Sequence, residues 1–349
     1  MKRLLLILCL ASAAFGAGPD HVDITWFSIS NMYYELGSTN VITDGYISRI
    51  PQSAFFGGGG GLANTRKGYK PDEKGVARVL QALGGKKKVN LLLTGHSHFD
   101  HSFDTATWSR LTGAKVIGSK TTCLQTQAEK IPEKRCTAVY GGEKIKLADG
   151  VTMRVIRWNH SGDSVANPEQ HTPVELTSVP RADAEGLHAG VAEDFPNGGG
   201  NRAFLFTVDG PGGRYSWFFH NSGSASDLES PIIVDGKNYG APLENLKAAM
   251  KESGLEAVDL WIGTGGSAIA RLVLPVVRPK AYLPVHWDGL YGAFEAGVPR
   301  AYRDAPLEQL LKDGGITLVR PQQYMDKWRL DVSGVRAIPN VEVKRALGF

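Results

Sequence analysis

The sequence has few cysteines and no strong excess of charge. Only three of its 349 residues are cysteine, and the formal net charge is +4. A balance this close to neutral does not favour a nucleic-acid-binding protein, whose basic surface normally gives a larger excess. A run of five glycines at 57–61 lacks the Gly-Lys-Ser/Thr ending that a phosphate-binding P-loop requires. Nucleic-acid binding and P-loop nucleotide binding are therefore disfavoured.

Long apolar runs are also missing. The apolar run Leu4–Leu10 is too short for a permanent membrane helix, which needs about 20 apolar residues. It follows the basic start Met1–Arg3 and precedes small residues around Gly16, which is the pattern of a secretory signal peptide. We therefore expect a cleaved signal over 1–16, one mature domain over 17–349, and an exported protein, periplasmic or extracellular, without a permanent membrane span.

Two cysteines, Cys123 and Cys136, remain after the expected cleavage. Export permits a disulfide between them. Two unpaired thiols are an equally good interpretation, and the spacing is not that of a metal site.

Two irregular stretches interrupt the alternation of apolar strands and amphipathic helices. The segment 163–200 is long, polar and rich in Pro, Gly and Asp, so we expect an insertion with a role at the functional site. Phe55 and Phe56 precede the glycine run, which indicates either a flap over a site or a surface loop without such a role.

One loop concentrates ligand-type side chains. After the apolar run Val89–Leu93, the segment 96–101 reads His-Ser-His-Phe-Asp-His. A short apolar run ended by glycine is typical of a buried strand, and a strand end on a rigid scaffold can aim side chains at one point. This loop is therefore predicted to bind metal, and zinc is the metal we expect.

The loop resembles the His-x-His-x-Asp-His motif of the metallo-β-lactamase superfamily. His160 and His286 each follow an apolar strand, as the third and last metal ligands of that superfamily do. The resemblance extends from about residue 22 to 320. It implies an α+β fold, the αββα sandwich, in which two mixed sheets pack face to face with helices outside. It says little about the substrate.

The ligand set that the resemblance implies suits zinc, which prefers imidazole and carboxylate ligands. His96 and His98 lie two residues apart, so in extended backbone both can face one ion together with His160. A second ion would be held by the rest of the set, Asp100, His101 and His286. Two ions about 3.5–4 Å apart would share a hydroxide nucleophile. Asp100 could orient that hydroxide or protonate the leaving group.

The sequence departs from the superfamily after Tyr215–Phe219. The superfamily usually has an aspartate there that bridges both metals, and this chain has His220-Asn221-Ser222. We expect Asn221 at the bridging position. A neutral amide is a poorer bridge than a carboxylate, so the centre would hold one or two zinc ions. His220 could instead bind a metal itself.

Three other polar residues have less specific interpretations. His171 and His188 are interpreted as structural histidines. Asp44 ends an early strand, and it is either a group that supports the metal loop or a turn aspartate.

The function predicted from these residues is zinc-dependent hydrolysis of an ester, lactone, amide or phosphodiester in a small-molecule substrate. Trp287 and Arg202 are candidate substrate contacts. The alternative is a metal-binding protein of the same fold with little or no catalytic activity. A β-lactamase would agree with export, but the missing bridge and the long insertion disfavour it.

Overall fold

The computed structural model describes residues 18–52, 67–160, 175–189, 194–196 and 200–349. The expected signal peptide, the phenylalanine-glycine segment and His171 lie outside the described residues, as does part of the 163–200 insertion.

Most strands of the described chain belong to two large sheets. In chain order the strands are β1 (Val22–Ser28), β2 (Asn31–Leu36), β3 (Thr39–Thr43), β4 (Leu91–Leu93), β5 (Lys115–Gly118), β6 (Cys136–Ala138), β7 (Lys144–Ala148), β8 (Val151–Arg157), β9 (Arg202–Gly210), β10 (Gly213–Phe219), β11 (Ile233–Val234), β12 (Lys237–Asn238), β13 (Leu260–Gly263), β14 (Ala281–Pro284), β15 (Thr317–Leu318), β16 (Asp326–Asp331) and β17 (Gly334–Ile338). One sheet has the order β17-β16-β1-β2-β3-β4-β5-β6, and the other β15-β14-β13-β10-β9-β8-β7. Strands β11 and β12 form a separate pair.

Helices provide the crossovers between parallel strands. They are α1 (Glu73–Ala82), α2 (Phe99–Ser102), α3 (Thr105–Thr112), α4 (Lys120–Ala128), α5 (Pro242–Glu252), α6 (Gly266–Val277), α7 (Ala305–Asp313) and α8 (Val341–Leu347). Strands β3 to β6 pair in parallel, as do β10, β13, β14 and β15. A parallel neighbour needs a crossover connection, which a helix usually supplies.

The main core lies between the two sheets. Tyr34 of β2 packs against Phe206 of β9 and Trp217 of β10, with ring centroids 5.7 and 5.6 Å apart. A second core lies on the outer face of the second sheet, where α5, α6 and α7 contribute Leu246, Val273 and Leu307. Helices therefore cover the outer face of a two-sheet sandwich, and the predicted αββα architecture is confirmed.

Local sequence explains where α1 begins and which face it buries. Asp72 caps it by accepting a hydrogen bond from the Gly75 backbone N–H at 3.0 Å, as N-cap aspartates commonly do. Val76, Val79 and Leu80 recur at helical spacing and are buried.

The sequence did not predict helix α6, the hairpin β16–β17 or helix α8. Helix α6 contains Pro275, and a proline within an apolar run argues against a helix. The hairpin β16–β17 and helix α8 lie beyond the expected limit at residue 320. Strand β16 pairs with β1, so these late residues complete the first sheet.

Cys123 of α4 and Cys136 at the start of β6 form a disulfide. This decides between the two interpretations left open by the sequence. Within the described residues, no helix is long and apolar enough to cross a membrane.

Candidate metal centre

The predicted ligands converge at one edge of the sandwich. Strands β4 and β14 both end there and are followed by the 96–101 loop and by His286. The ends of parallel strands within a sheet meet at a common edge, and face-to-face packing brings the edges of the two sheets together. Six of the sequence-predicted ligands form two groups whose ligand atoms lie close enough to hold an ion, His96, His98 and His160 in one and Asp100, His101 and His286 in the other.

The group of Asp100, His101 and His286 is compact. The Asp100 Oδ2 atom lies 3.0 Å from His101 Nε2 and 3.1 Å from His286 Nε2. The two imidazole Nε2 atoms are 3.3 Å apart. Tetrahedral ligands about 2.0–2.1 Å from one zinc ion lie about 3.3 Å from each other. The spacing therefore fits a single ion between the three atoms.

The group of three histidines brings its rings equally close. The imidazole centroids of His96 and His98 are 5.2 Å apart, the same separation as between His101 and His286. His96 Nε2 is buried and has no hydrogen-bond partner among the described residues. A buried nitrogen without a partner is costly, and a metal ion would satisfy it. The two groups adjoin, because the ring centroids of His96 and His101 are only 3.9 Å apart.

Asp44 supports the loop from behind. Its carboxylate accepts hydrogen bonds from the Gly95 backbone N–H at 2.8 Å and from the Ser30 hydroxyl at 3.0 Å. It also lies 2.9 Å from His101 Nδ1. Such a carboxylate fixes the tautomer in which Nε2 faces the metal. Of the two interpretations left open by the sequence, the geometry favours support of the metal loop.

Two residues around the centre have left-handed backbone conformations, Asp44 with φ 65° and His286 with φ 64°. The His286 backbone N–H donates to the Ile29 carbonyl at 2.9 Å, and Ile29 itself has φ 49°. Such conformations cost of order 1–3 kcal/mol each for residues other than glycine and cluster at functional sites. The Asp288 carboxylate accepts a hydrogen bond from the Ile29 backbone N–H at 3.0 Å. This bond helps to hold Ile29 and His286 in their left-handed conformations.

The structure corrects the expectation for Asn221. Its side-chain Oδ1 lies 3.0 Å from His96 Nδ1, and its Nδ2 donates to Asp44 Oδ2 at 2.8 Å. Both ends of the amide are thus engaged in hydrogen bonds behind the ligands. Among the described residues, Asn221 therefore supports the ligands and does not bridge two ions.

His220 lies outside both groups. It is fully buried, and its imidazole lies among Trp158, Phe218 and Trp261, which we call the aromatic box. His220 Nδ1 lies 2.8 Å from the Ser222 carbonyl, so Nδ1 donates. Burial lowers the pKa of His220 to about 4. His220 is therefore a neutral imidazole in an apolar core, and the geometry does not support the alternative that it binds a metal.

Electrostatics separate the ligands of the two groups. Burial alone would raise the pKa of Asp100, but the charges and hydrogen bonds of His101 and His286 outweigh it and hold that pKa well below its usual range. Burial would lower the pKa of His101, yet Asp100 and Asp44 together raise it to about 10. Burial and the neighbouring histidines lower the pKa of His96 well below its usual value. Asp100 is therefore ionised beside a protonated His101, whereas His96 is neutral and can offer a lone pair to a cation.

Tyr291 lies at the rim of the metal centre, and it was not predicted from the sequence as a functional residue. Its ring stacks on Phe99, the residue between His98 and Asp100, with centroids 6.2 Å apart. Burial and the nearby Asp100 charge raise the pKa of Tyr291 to about 12. The phenol is therefore protonated at neutral pH and can donate a hydrogen bond. Only its position five residues after His286 could have marked it in the sequence.

The two predicted substrate contacts have different environments. Trp287 is partly buried against Trp26 and lines a cavity of about 530 Å³ together with Arg300, Tyr302 and Arg303. Its contact with substrate stays a prediction. Arg202 is fully buried, and its guanidinium donates to the Val139 and Asn201 carbonyls and to Glu175. Arg202 therefore packs the interior and presents no surface to a substrate.

His188 lies away from both groups, as expected for a structural histidine. Its imidazole nitrogens lie 2.8 Å from Asp194 and 2.9 Å from Asp183. Gln125 then donates to the Asp194 carbonyl at 2.8 Å and to the Ser97 carbonyl at 3.0 Å. The described part of the insertion is therefore fastened to the metal loop.

Comparison with known proteins agrees with a metal centre on this fold. No protein-family model matches the chain. Over 155 residues it is 28% identical to a UPF0173 metal-dependent hydrolase of Pyrobaculum islandicum, a match that covers 42% of this chain and 58% of that relative. The chain thus matches little more than half the length of this curated relative.

Two solved structures resemble the chain at low identity. The metallo hydrolase Igni18 of Ignicoccus hospitalis shares 13% identity, with 88% of this chain and 98% of that chain covered and a TM-score of 0.49. The metallo-β-lactamase fold protein YhfI of Bacillus subtilis shares 11%, with 89% and 100% covered and a TM-score of 0.46. Similarities this weak add no argument of their own. The chain has the fold of the metallo-β-lactamase superfamily, as its two-sheet architecture shows.

Proposed function

We propose that the protein is a zinc-dependent hydrolase of a small molecule that contains an ester, lactone, amide or phosphodiester bond. The observation that supports this most directly is the pair of adjoining ligand groups, one of which has ligand atoms 3.0–3.3 Å apart. Imidazole and carboxylate ligands suit zinc. The metal-dependent hydrolase among its relatives points to the same class of reaction.

The donor set fits metal ions at two positions. His96, His98 and His160 would hold one ion, and Asp100, His101 and His286 the other. Ions bound there would polarise the scissile bond and lower the pKa of a bound water to about 7.

Asp100 has a narrower role than the sequence allowed. A carboxylate whose pKa lies well below its usual range is ionised at neutral pH. It can accept a hydrogen bond from the attacking water and so orient it, whereas it holds no proton for a leaving group at the start of the reaction. Orientation of the water is therefore the role we assign to Asp100.

Tyr291 is the residue best placed to contact the substrate from the rim. Its phenol is protonated and partly exposed, and it is close enough to Asp100 to be affected by that charge. A donor at this position can stabilise the oxyanion that develops when the substrate carbonyl or phosphoryl group is attacked.

The test combines metal content with a substrate panel. Purified protein is expected to contain zinc and to hydrolyse at least one generic ester, lactone or phosphodiester, and His98→Ala should abolish hydrolysis and remove the ion held by the three histidines. The matched control is His188→Ala, which removes a histidine outside the centre and should preserve both. Full metal loading without hydrolysis across a broad panel would instead support the metal-binding alternative. Turnover of nitrocefin tests the β-lactamase interpretation.

We also propose that the protein acts outside the cytoplasm. The Cys123–Cys136 disulfide supports this, because such bonds persist mainly in oxidising compartments. Fractionation of cells that express the full chain should find a shortened protein outside the cytoplasm. Full-length protein confined to the cytoplasm would contradict the proposal.

A further inference from the structure

Asn221 occupies a space that the metal loop leaves open for it. A Cβ added to Gly95 would lie only 2.2 Å from Asn221 Nδ2, so a larger residue at position 95 would displace the amide. Asn221 is itself buried. Its hydrogen bonds join His96 on one side to Asp44 on the other, and Asp44 contacts His101.

The hydrogen bonds have one direction. An ionised Asp44 carboxylate can only accept, so the amide Nδ2 must face it and Oδ1 must face His96. Oδ1 can only accept as well, so His96 Nδ1 carries the hydrogen and its Nε2 keeps a free lone pair. At the other end His101 Nδ1 donates to Asp44, so that Nε2 faces Asp100. One orientation of Asn221 therefore prepares a ligand in each group.

The opposite orientation would disable both ends. A rotated amide would place Oδ1 against the Asp44 carboxylate, where two acceptors repel. It would also present Nδ2 to His96 Nδ1, which favours the tautomer with the hydrogen on Nε2, and that tautomer cannot bind a metal through Nε2. We propose that Asn221 prepares both metal positions, because one orientation of its amide sets the His96 tautomer and holds the Asp44 carboxylate that supports His101.

The same geometry explains why an amide stands here. An aspartate at 221 would place its carboxylate about 2.8 Å from that of Asp44, at the distance the amide nitrogen now holds, and two like charges at that distance disfavour each other strongly. An amide meets both requirements, because it donates to Asp44 and accepts from His96.

This inference rests on the metal-binding part of the proposed function and is independent of hydrolysis. The test is a titration of metal-free protein with Zn²⁺ against a chelator of known affinity. For the wild type we expect two ions to bind. Asn221→Ala should still bind both ions, but each about 10–100-fold more weakly, as expected when a group that supports a metal ligand is lost.

Asn245→Ala is the matched control, since Asn245 donates to the Arg157 and Tyr239 carbonyls outside the centre. It should keep both affinities. Binding of a single ion by the wild type, a loss of affinity at only one position in Asn221→Ala, or no loss at all would each overturn the inference. If Asn221→Ala does not fold, Asn221→Leu, which has nearly the same shape and no polar side-chain atoms, serves in its place and should also weaken both positions.

A second measurement does not depend on metal. Nitrogen NMR shifts of the imidazoles in the metal-free protein should show His96 with its hydrogen on Nδ1 in the wild type and a mixture of tautomers in Asn221→Ala. The same tautomer in both proteins would contradict the proposed role. Absence of hydrolysis by a wild type that binds two ions, with both affinities lowered in Asn221→Ala, would count against the proposed function and leave this inference standing.

Discussion

Two buried histidine environments meet at the end of β10. His220 and Asn221 are adjacent in the chain, but their side chains lie on opposite sides of the sheet, since successive residues of extended backbone alternate. His220 lies in the aromatic box on the helix-covered face. Asn221 lies behind the metal ligands on the other side.

The comparison shows what makes a buried imidazole a ligand. At the metal centre, Nδ1 of His96 and of His101 has a directed polar partner, and Nε2 converges with other donor atoms. In the aromatic box, Nδ1 also has a partner, the Ser222 carbonyl. Among the described residues, however, His220 Nε2 belongs to no group of ligand-type atoms, and Trp261 Nε1 lies near the same space beside Gly263. Convergence of several donors, more than burial or tautomer, separates the two environments.

The largest expected effect distinguishes the two environments by ligand removal. His101→Ala removes one donor from the compact group of Asp100, His101 and His286. Zinc affinity and hydrolysis should each fall at least about a hundredfold, because loss of a group that only supports a ligand already costs about 10–100-fold. Metal analysis and kinetics on the same preparation measure this. His220→Phe should change neither by more than a few fold, and equal losses in both variants would show that the aromatic box belongs to the centre.

The second prediction concerns stability in acid. His220 has a folded pKa of about 4 against an unfolded value of about 6.5, so the unfolded chain takes up a proton first as the pH falls. Stability that is present above pH 6.5 is therefore lost between about pH 6.5 and 4, by about 3 kcal/mol. In urea unfolding of the metal-free protein, His220→Phe should lack this part of the slope. Phe218→Leu, in the same aromatic box, should lower stability equally at each pH and keep the slope.

The third prediction tests the support behind His101. Asp44→Asn removes the charge that holds the imidazole, and zinc affinity should fall about 10–100-fold. Competition with a chelator measures the change. Asp104→Asn is a suitable control, because Asp104 is a buried carboxylate that accepts from the Ile47 and Ser48 N–H groups. It should cost stability and leave zinc affinity unchanged.

The smallest expected effect concerns the rim. Tyr291→Phe removes one donor and should lower kcat about tenfold, as expected for one hydrogen bond of about 1.4 kcal/mol in the transition state. Metal content should not change. Tyr302→Phe, in the neighbouring cavity, controls for general effects of losing a phenol. An unchanged kcat in Tyr291→Phe would remove this residue from the proposed mechanism.

The metal loop could be predicted because its signal is local. Ligand-type residues at 96–101 follow one apolar strand directly, and short-range spacing is visible in a linear sequence. His160 and His286 could be placed only through the resemblance to a family, because nothing local shows that their strands end at the same edge. Helix α6 was not predicted because Pro275 within it argues against a helix. The place of β16 in the first sheet was not predicted either, because Val22 of β1 pairs with the distant Leu330 of β16, and such long-range pairing leaves no local pattern.

The chain by itself therefore determined the chemistry that is available: imidazole and carboxylate donors at strand ends, and a fold that brings strand ends together. Only the tertiary structure decided which polar residue does what. It turned Asn221 toward His96 and Asp44, enclosed His220 among aromatic rings, buried Arg202 and brought Tyr291 to the rim. The physical reason is that a side chain's role depends on the direction of its hydrogen bonds and on its neighbours across the fold, and residue type alone specifies neither.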